Sequence, residues 1–279
     1  MKKILVGMDF SQGALNALEY SIEVAKNTQA EIILVWIEPN TNDKVLPGEK
    51  NEIRYDAKLE LQKIIDEHKE KHEGLKIQFK QKRGRVFLEI ASLAKSTMAD
   101  LVIIGTHGIG GFEEFWVGSN AFKIISYCPC PVISVRTDFK KGGEIKKIIL
   151  PIDDTKDTTL KVPMAVKLAK AFNAEIVVLG IYDKNLTSVR KKTDQYVSKT
   201  EKYLVENKIN FSFQQCESNK LSCSVVKYAE NYHADLMVIM TDQNKVTSDI
   251  IMGIRSQQII NRSPIPVLSV KPDKMEFIK

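Results

Sequence analysis

The chain has 279 residues, 43% hydrophobic and 27% charged, with a formal net charge of +6 at pH 7. The length suggests about two globular domains, and the positive charge is spread along the chain rather than massed in one block, so nucleic acid is not the expected partner. No apolar run approaches a membrane span, and MKKILVGMDF lacks the long apolar core of a signal peptide, so a cytoplasmic protein without a membrane partner is expected.

The four cysteines are Cys128, Cys130, Cys216 and Cys223. Cys128-Pro129-Cys130 makes a poor disulfide, and no Cys/His set has zinc-site spacing, so reduced thiols are expected.

In chain order, Ile4–Met8 reads as a short apolar strand ending at Asp9-Phe10-Ser11. A helix follows with apolar Ala14, Leu15, Ala17, Leu18, Ile22, Val24 and Ala25, Ser11 being a candidate cap. Strand two is Ile32–Ile37, followed by a polar loop from Pro39 to Gly48. A charged helix from about Glu49 to Lys71 carries an apolar stripe at Ile53, Ala57, Leu61, Ile64 and Ile65. Ile77 and Phe79 mark a more exposed third strand ending at Arg83-Gly84-Arg85. A helix through Val86, Phe87, Ile90, Ala91 and Ala94 then leads to strand four at Leu101–Ile104, and a further helix to strand five at Val132–Val135. Strands alternating with helices predict an α/β fold, a parallel sheet with helices on both faces.

Lys140–Glu144 reads as a linker, after which the pattern begins again. Ile148–Asp153 repeats Ile4–Asp9, Ala234–Ile239 repeats Ala99–Ile104, and Ser263–Val267 repeats Cys128–Val132. From Gly84 onward the halves align without a gap, Gly84 falling on Asn219 and Gly118 on Gly253. The chain is therefore expected to be a duplicated domain, one copy at 1–138 and the other at 145–279.

Gly105–Asn120, GTHGIGGFEEFWVGSN, follows strand four and opens a helix at Gly118-Ser119. A strand, a glycine-rich loop and a helix N-terminus suit an anion, because free amides and the helix dipole both favour negative charge. There is no GxxxxGK[ST], and Glu113 breaks the dinucleotide pattern that Gly108-x-Gly110 begins. The spacing that does hold is G-x2-G-x9-G-[ST], met by Gly105, Gly108, Gly118 and Ser119.

That signature resembles the ATP-binding signature of the universal stress protein family. The opening strand ending in Asp9, the A-D-L-x-x-x-G strand at Ala99–Gly105 and the C-P-C-P-V at Cys128–Val132 extend the likeness over nearly the whole chain. The resemblance implies two tandem Rossmann-like domains, each with five parallel strands in the order 3-2-1-4-5. It also implies pairing of the two domains, with homodimers as a further option, and an unknown protein partner. The ligand it implies is ATP, AMP or ADP, with or without Mg²⁺. Asp9 would line the pocket, its plainer reading being a cap on the first helix. The backbone at Val35-Trp36 would read the adenine edge, and Gly105, Gly108, Gly118 and Ser119, with Asn120 beside them, would hold the phosphates, while His107 reads either as a phosphate donor or as a solvated loop residue.

Other residues have plainer readings. His68 and His72 have the four-residue spacing of a metal pair, but their charged neighbours predict a solvated face. Arg83 and Arg85 read as a solvated turn, Trp36 as a pocket wall or as packing under the second helix, and Phe112, Phe115 and Trp116 as loop packing or a partner surface.

The second half keeps Asp153 and Gly253, but Met240, Gln243 and Ile254 stand at the places of Gly105, Gly108 and Ser119, with Asp242 and Asp249 nearby. One nucleotide site, in the first half, is therefore expected, and the repeat suggests that the fold itself does not demand the glycines. The leading reading is an ATP-binding regulatory protein without dedicated catalysis. The alternatives are a slow ATP-hydrolysing or phosphate-transferring enzyme of the adenine-nucleotide α-hydrolase-like class, and a nucleotide-free scaffold.

Overall fold

The computed structural model describes residues 1–38, 47–106, 118–139, 144–182, 187–217, 221–241, 243–246 and 249–272. The described residues up to 139 form one compact unit and those from Glu144 onward another. Among the described residues no helix is long and apolar enough to cross a membrane.

In the first unit the elements are β1 (Lys3–Met8), α1 (Gln12–Thr28), β2 (Glu31–Glu38), α2 (Pro47–Lys71), β3 (Ile77–Arg83), α3 (Val86–Thr97), β4 (Leu101–Gly105), α4 (Ser119–Tyr127) and β5 (Val132–Val135). The strand order is β3-β2-β1-β4-β5, every pairing parallel. The chain winds outward from β1 to β3 and then returns across β1 to β4, so the winding reverses between β1 and β4. Ligands of such sheets bind outside the carboxyl ends of the strands at that reversal.

The near-continuous apolar runs of the central strands are those of a sheet covered on both faces, and Ile4, Leu5, Ile32, Leu34, Leu101 and Ile103 are completely buried. A Cβ added to Gly7 would touch Ile104 and Ile90 of α3, whereas one added to Gly105 would strike Gly13 and Ala14 of α1. The two helices thus lie on opposite faces. The aspartate of the A-D-L pattern serves the fold. Asp100 Oδ2 accepts from the amides of Lys2 and Lys3 at 2.6 and 3.2 Å, pinning the start of β1 beside β4.

In the second unit β6 (Lys147–Ile152), α5 (Val162–Phe172), β7 (Glu175–Tyr182), α6 (Thr187–Glu206), β8 (Phe211–Glu217), α7 (Leu221–Asn231), β9 (Leu236–Met240), β10 (Gln243–Val246), β11 (Asp249–Met252), α8 (Ile254–Arg262) and β12 (Val267–Val270) follow. The parallel order β8-β7-β6-β9-β12 repeats that of the first unit, and Asp235 Oδ2 clamps the amides of Lys146 and Lys147 as Asp100 does Lys2 and Lys3. Two features depart from the expected copy. Strands β10 and β11 form an antiparallel hairpin, an addition to the five parallel strands. The first helix is also shorter, 11 residues in α5 against 17 in α1, although both end on a left-handed cap, Gln29 in one and Asn173 in the other.

The expected solvated face around His68 is not what forms. His68 continues the spacing Ala57, Leu61, Ile64 along α2 and is buried with them. Its Nδ1 lies 2.7 Å from Ile64 O and its Nε2 3.0 Å from Glu19 Oε1 of α1. A carbonyl and a carboxylate both accept, so the site favours the imidazolium, in which both ring nitrogens donate. The Glu19 bond raises the His68 pKa against the effect of burial, and the same bond lowers that of Glu19. Ile53, expected on the same stripe, is exposed instead.

His68 has a raised folded pKa, so its contribution is complete below its ordinary value of 6.5 and is lost as pH climbs through the folded value. Glu19 has a lowered one, so its share is complete above its ordinary 4.5 and is lost as pH falls through the folded value. His72, lowered by burial and then by Lys26, opposes folding when it charges, so its slope has the other sign. Subtracting the two profiles leaves His68 together with its effect on Glu19 and His72: urea unfolding should show wild type exceeding His68→Gln by about 1 kcal/mol near pH 6, a value held down by solvent at Glu19. The gap should shrink at alkaline pH, and a constant gap from pH 6 to 9 would contradict the charged pair.

Candidate functional site at the end of strands one and four

The site is built around the step from β1 into α1. Asp9 Oδ1 accepts from the Ser11 amide at 3.1 Å and from Ser11 Oγ at 2.6 Å, and Ser11 Oγ in turn accepts from Ala14 N at 3.2 Å, capping α1 as its sequence position predicts. The intervening Phe10 has φ +63°, a left-handed conformation that a bulky residue adopts only under strain. Asp9 Oδ2 has no partner among the described residues.

Beside it lies the end of β4. A Cβ on Gly105 would come within 2.5 Å of Gly13 C and 2.7 Å of Gly13 O, so the backbone of α1 sits directly against this residue. This corrects the expectation that the fold does not demand the glycine: packing alone requires it here. Thr106, buried, donates its amide to Val135 O at 2.9 Å, and its carbonyl accepts from Gly118 N at 2.8 Å. The start of α4 is thereby tied back to the end of β4.

Gly118 is different in kind. Its φ of −59° is open to any residue, and an added Cβ would meet only Thr106 O at an ordinary 3.4 Å. No side chain caps α4, Ala121 N and Phe122 N turn back to Gly118 O, and the amides of Ser119 and Asn120 have no partner among the described residues. Ser119 and Asn120 are exposed. A 9-residue helix thus offers uncapped N–H groups and its positive dipole end beside the carboxyl end of β4.

The remaining predicted residues divide. Val35 is buried inside β2, its neighbours in register being Gly7 and Lys80. Trp36 is buried, in register with Gln81, whose amide donates to Arg54 O of α2. Residues in register in parallel strands share a face, so Trp36 packs under α2. The ladder between β1 and β2 ends at Trp36, while Ile37 and Glu38 continue only against β3. His107, Gly108, Phe112, Phe115, Trp116 and Asp242 lie outside the described residues. Arg83 and Arg85 are exposed, Arg83 Nε standing 4.0 Å from Glu38.

In the second unit Asp153 Oδ1 accepts from Thr155 N at 3.1 Å and Thr155 Oγ1 at 2.6 Å, the geometry of Asp9 and Ser11. Gly253 keeps the conformation of Gly118, with φ −59° and ψ 146°. At the place of Gly105 stands Met240, and the segment equivalent to the start of α1 is a run of turns, Leu160 N bonding Asp157 O and Val162 N bonding Thr159 O. A side chain at the end of the fourth strand and a helix start pressed against it exclude each other, and here the helix start has given way. Sequence reasoning missed this exchange, and with it Gly13 and Lys161. The signal available was the register of the repeat, in which Gly13 falls on Asp157 and Ala17 on Lys161.

Fold and site define a class: a duplicated, doubly wound α/β chain with an anion-ready helix start at the winding reversal of its first unit. The Universal stress protein family model matches residues 1–136 and again 144–271. The chain belongs to the universal stress protein family. It is similar to the universal stress protein YxiE of Bacillus subtilis, 31% identical over 48% of this chain and 98% of that protein. A universal stress protein of Methanocaldococcus jannaschii is 31% identical over 50% of this chain and 85% of its own length. The crystal structure of a universal stress protein from Archaeoglobus fulgidus covers 97% of this chain and 98% of its own, with a TM-score of 0.78 at 19% identity, which establishes the shared fold.

The two glycines should answer differently to the same substitution. Gly105→Ala should destabilise the first unit by about 1–3 kcal/mol through overpacking against α1, whereas Gly118→Ala should stay within about 0.5 kcal/mol of wild type. Denaturant unfolding of the two variants checks this, and equal losses would contradict the close approach of α1.

Proposed function

We propose that this universal stress protein is an ATP-binding regulatory protein with one adenine-nucleotide site, in its N-terminal unit, and a C-terminal unit that does not bind nucleotide. The observation that carries the reading is the uncapped start of α4 in a unit whose sequence holds Gly105, Gly108, Gly118 and Ser119 at the signature spacing. Packing accounts for Gly105 but not for Gly118, so close approach of a phosphate to the backbone is the reason offered for Gly118. Gly253 shares that conformation in the second unit, so the glycine acts only in company with the rest of the signature.

In this reading the amides of Ser119 and Asn120, the Ser119 hydroxyl, His107 and Gly108 take the phosphates. Asp9 has one carboxylate oxygen committed to Ser11 and offers the other to a ribose hydroxyl or to Mg²⁺. The adenine edge meets backbone at the end of β2, where the ladder to β1 stops at Trp36. Val35 and Trp36 contribute through the main chain, their side chains being buried. Occupancy then shifts the affinity for a protein partner by binding one arrangement of the chain better than another.

Calorimetric titration of the full chain with ATP, ADP and AMP tests this. One site per chain is expected, weakened at least about tenfold, or about 1.4 kcal/mol, by Gly118→Val in a variant that keeps its thermal midpoint. Two equal sites, or none, would overturn it. Release of phosphate at a steady rate on mixing with ATP would favour the hydrolysing alternative over the regulatory one.

A further inference from the structure

The carboxyl ends of the strands in the second unit border a half-open cavity of about 70 Å³ lined by Asp153, Thr158, Lys161, Met240, Arg255 and Ser256 among others. This crevice corresponds to the candidate site of the first unit, and it contains a charge where the first unit has Ala17. Lys161 is 3% exposed, buried as deeply as the apolar core. Its Nζ donates to Thr158 O at 2.6 Å and lies 3.2 Å from Thr158 Oγ1. Thr158 Oγ1 also accepts from the Asp153 amide at 3.1 Å, so one hydroxyl links the ammonium to the strand-end residue. In the register of the repeat Lys161 stands at Ala17, which is completely buried in α1.

An isolated ammonium is not tolerated in such a place, and its burial demands a compensating charge and hydrogen bonds. Asp153 is the carboxylate on the cavity wall. Burial pushes its carboxyl pKa upward, but the Lys161 charge and the hydrogen bonds from Thr155 and Thr158 outweigh this and hold it below the usual range. Asp9, with the same bonds to the residue two positions on, has no lysine at the corresponding place.

The route by which Lys161 arrives follows from Met240. With Met240 in place of Gly105, the first turns of the helix are replaced by the turn run 156–161, and the last residue of that run carries the ammonium back toward Thr158. We infer that Lys161 is a resident cation of the C-terminal crevice, neutralising Asp153 and, with Met240, occupying the space that a ligand takes in the first unit, so that this unit excludes ligands by residues of its own. The exclusion rests on reading the first crevice as a nucleotide site; the Lys161–Asp153 pairing does not.

The test is chemical rescue in the full-length chain. Lys161→Ala should lower the thermal midpoint of the second unit at pH 7 by about 5 °C or more. Ethylammonium chloride should restore part of it where equal sodium chloride does not, and Asp153→Asn/Lys161→Ala should show no such rescue. A midpoint equal to wild type, or rescue that survives loss of Asp153, would overturn the inference. If Lys161→Ala does not fold, Lys161→Met supplies the readout: carboxyl NMR should show the Asp153 pKa raised above its wild-type value, and an unchanged pKa would overturn the pairing. ATP titrations of the same variants should match wild type, so a failure of the N-terminal site appears separately, as wild-type protein that binds no ATP.

Discussion

Gly13 and Gly105 meet at the carboxyl end of the first unit's sheet, with room for no Cβ on Gly105. The missing side chain at Gly105 lets α1 begin immediately after Ser11 and lie with its backbone against the end of β4. The same contact sets the capped start of α1, which follows Asp9, against the end of β4, to whose Thr106 the exposed start of α4 is tied. Core packing stabilises each helix against the sheet, but this single close approach decides how near the first helix comes to the place where the winding reverses.

The second unit is the same frame with that contact given up. Asp235 clamps the first strand as Asp100 does, and Asp153 holds Thr155 as Asp9 holds Ser11. Once Met240 occupies the end of β9, the helix starts six residues later, as the lengths of α1 and α5 show. A buried lysine then lines the vacated region. The duplication therefore separates what the fold needs from what the site needs. The aspartates at the strand starts and the left-handed helix caps at Gln29 and Asn173 recur in both units, whereas the glycine contact belongs to the first unit and the buried lysine to the second.

Much of this is legible in the residues. The alternation of apolar runs with helical periodicity predicts the parallel strands, and the repeat from Ile148 onward predicts the second copy. The strand ends place Asp9 and Gly105 together, because the order of winding is all that is required for that. What escapes is mostly a matter of faces and close contacts. His68 is hidden by its charged neighbours although its spacing from Leu61 and Ile64 puts it on the buried stripe. Gly105 looks like a ligand residue because no sequence pattern reveals that Gly13 lies against it. Trp36 has two possible faces until register with Gln81 selects one. The hairpin of β10 and β11 is invisible because a loop frame preserved in alignment says nothing about pairing within it.

The central claim is that two crevices of one frame differ in what fills them: a nucleotide in the first, residues of the chain in the second. Amide NMR of the ¹⁵N-labelled full chain on addition of ATP tests it most directly. The account predicts shifts that saturate together at Asp9, Thr106, Gly118, Ser119 and Asn120, with Asp153, Gly253 and Ser256 unmoved. Saturable shifts at Asp153 and Gly253, or none at Ser119 and Asn120, would contradict it.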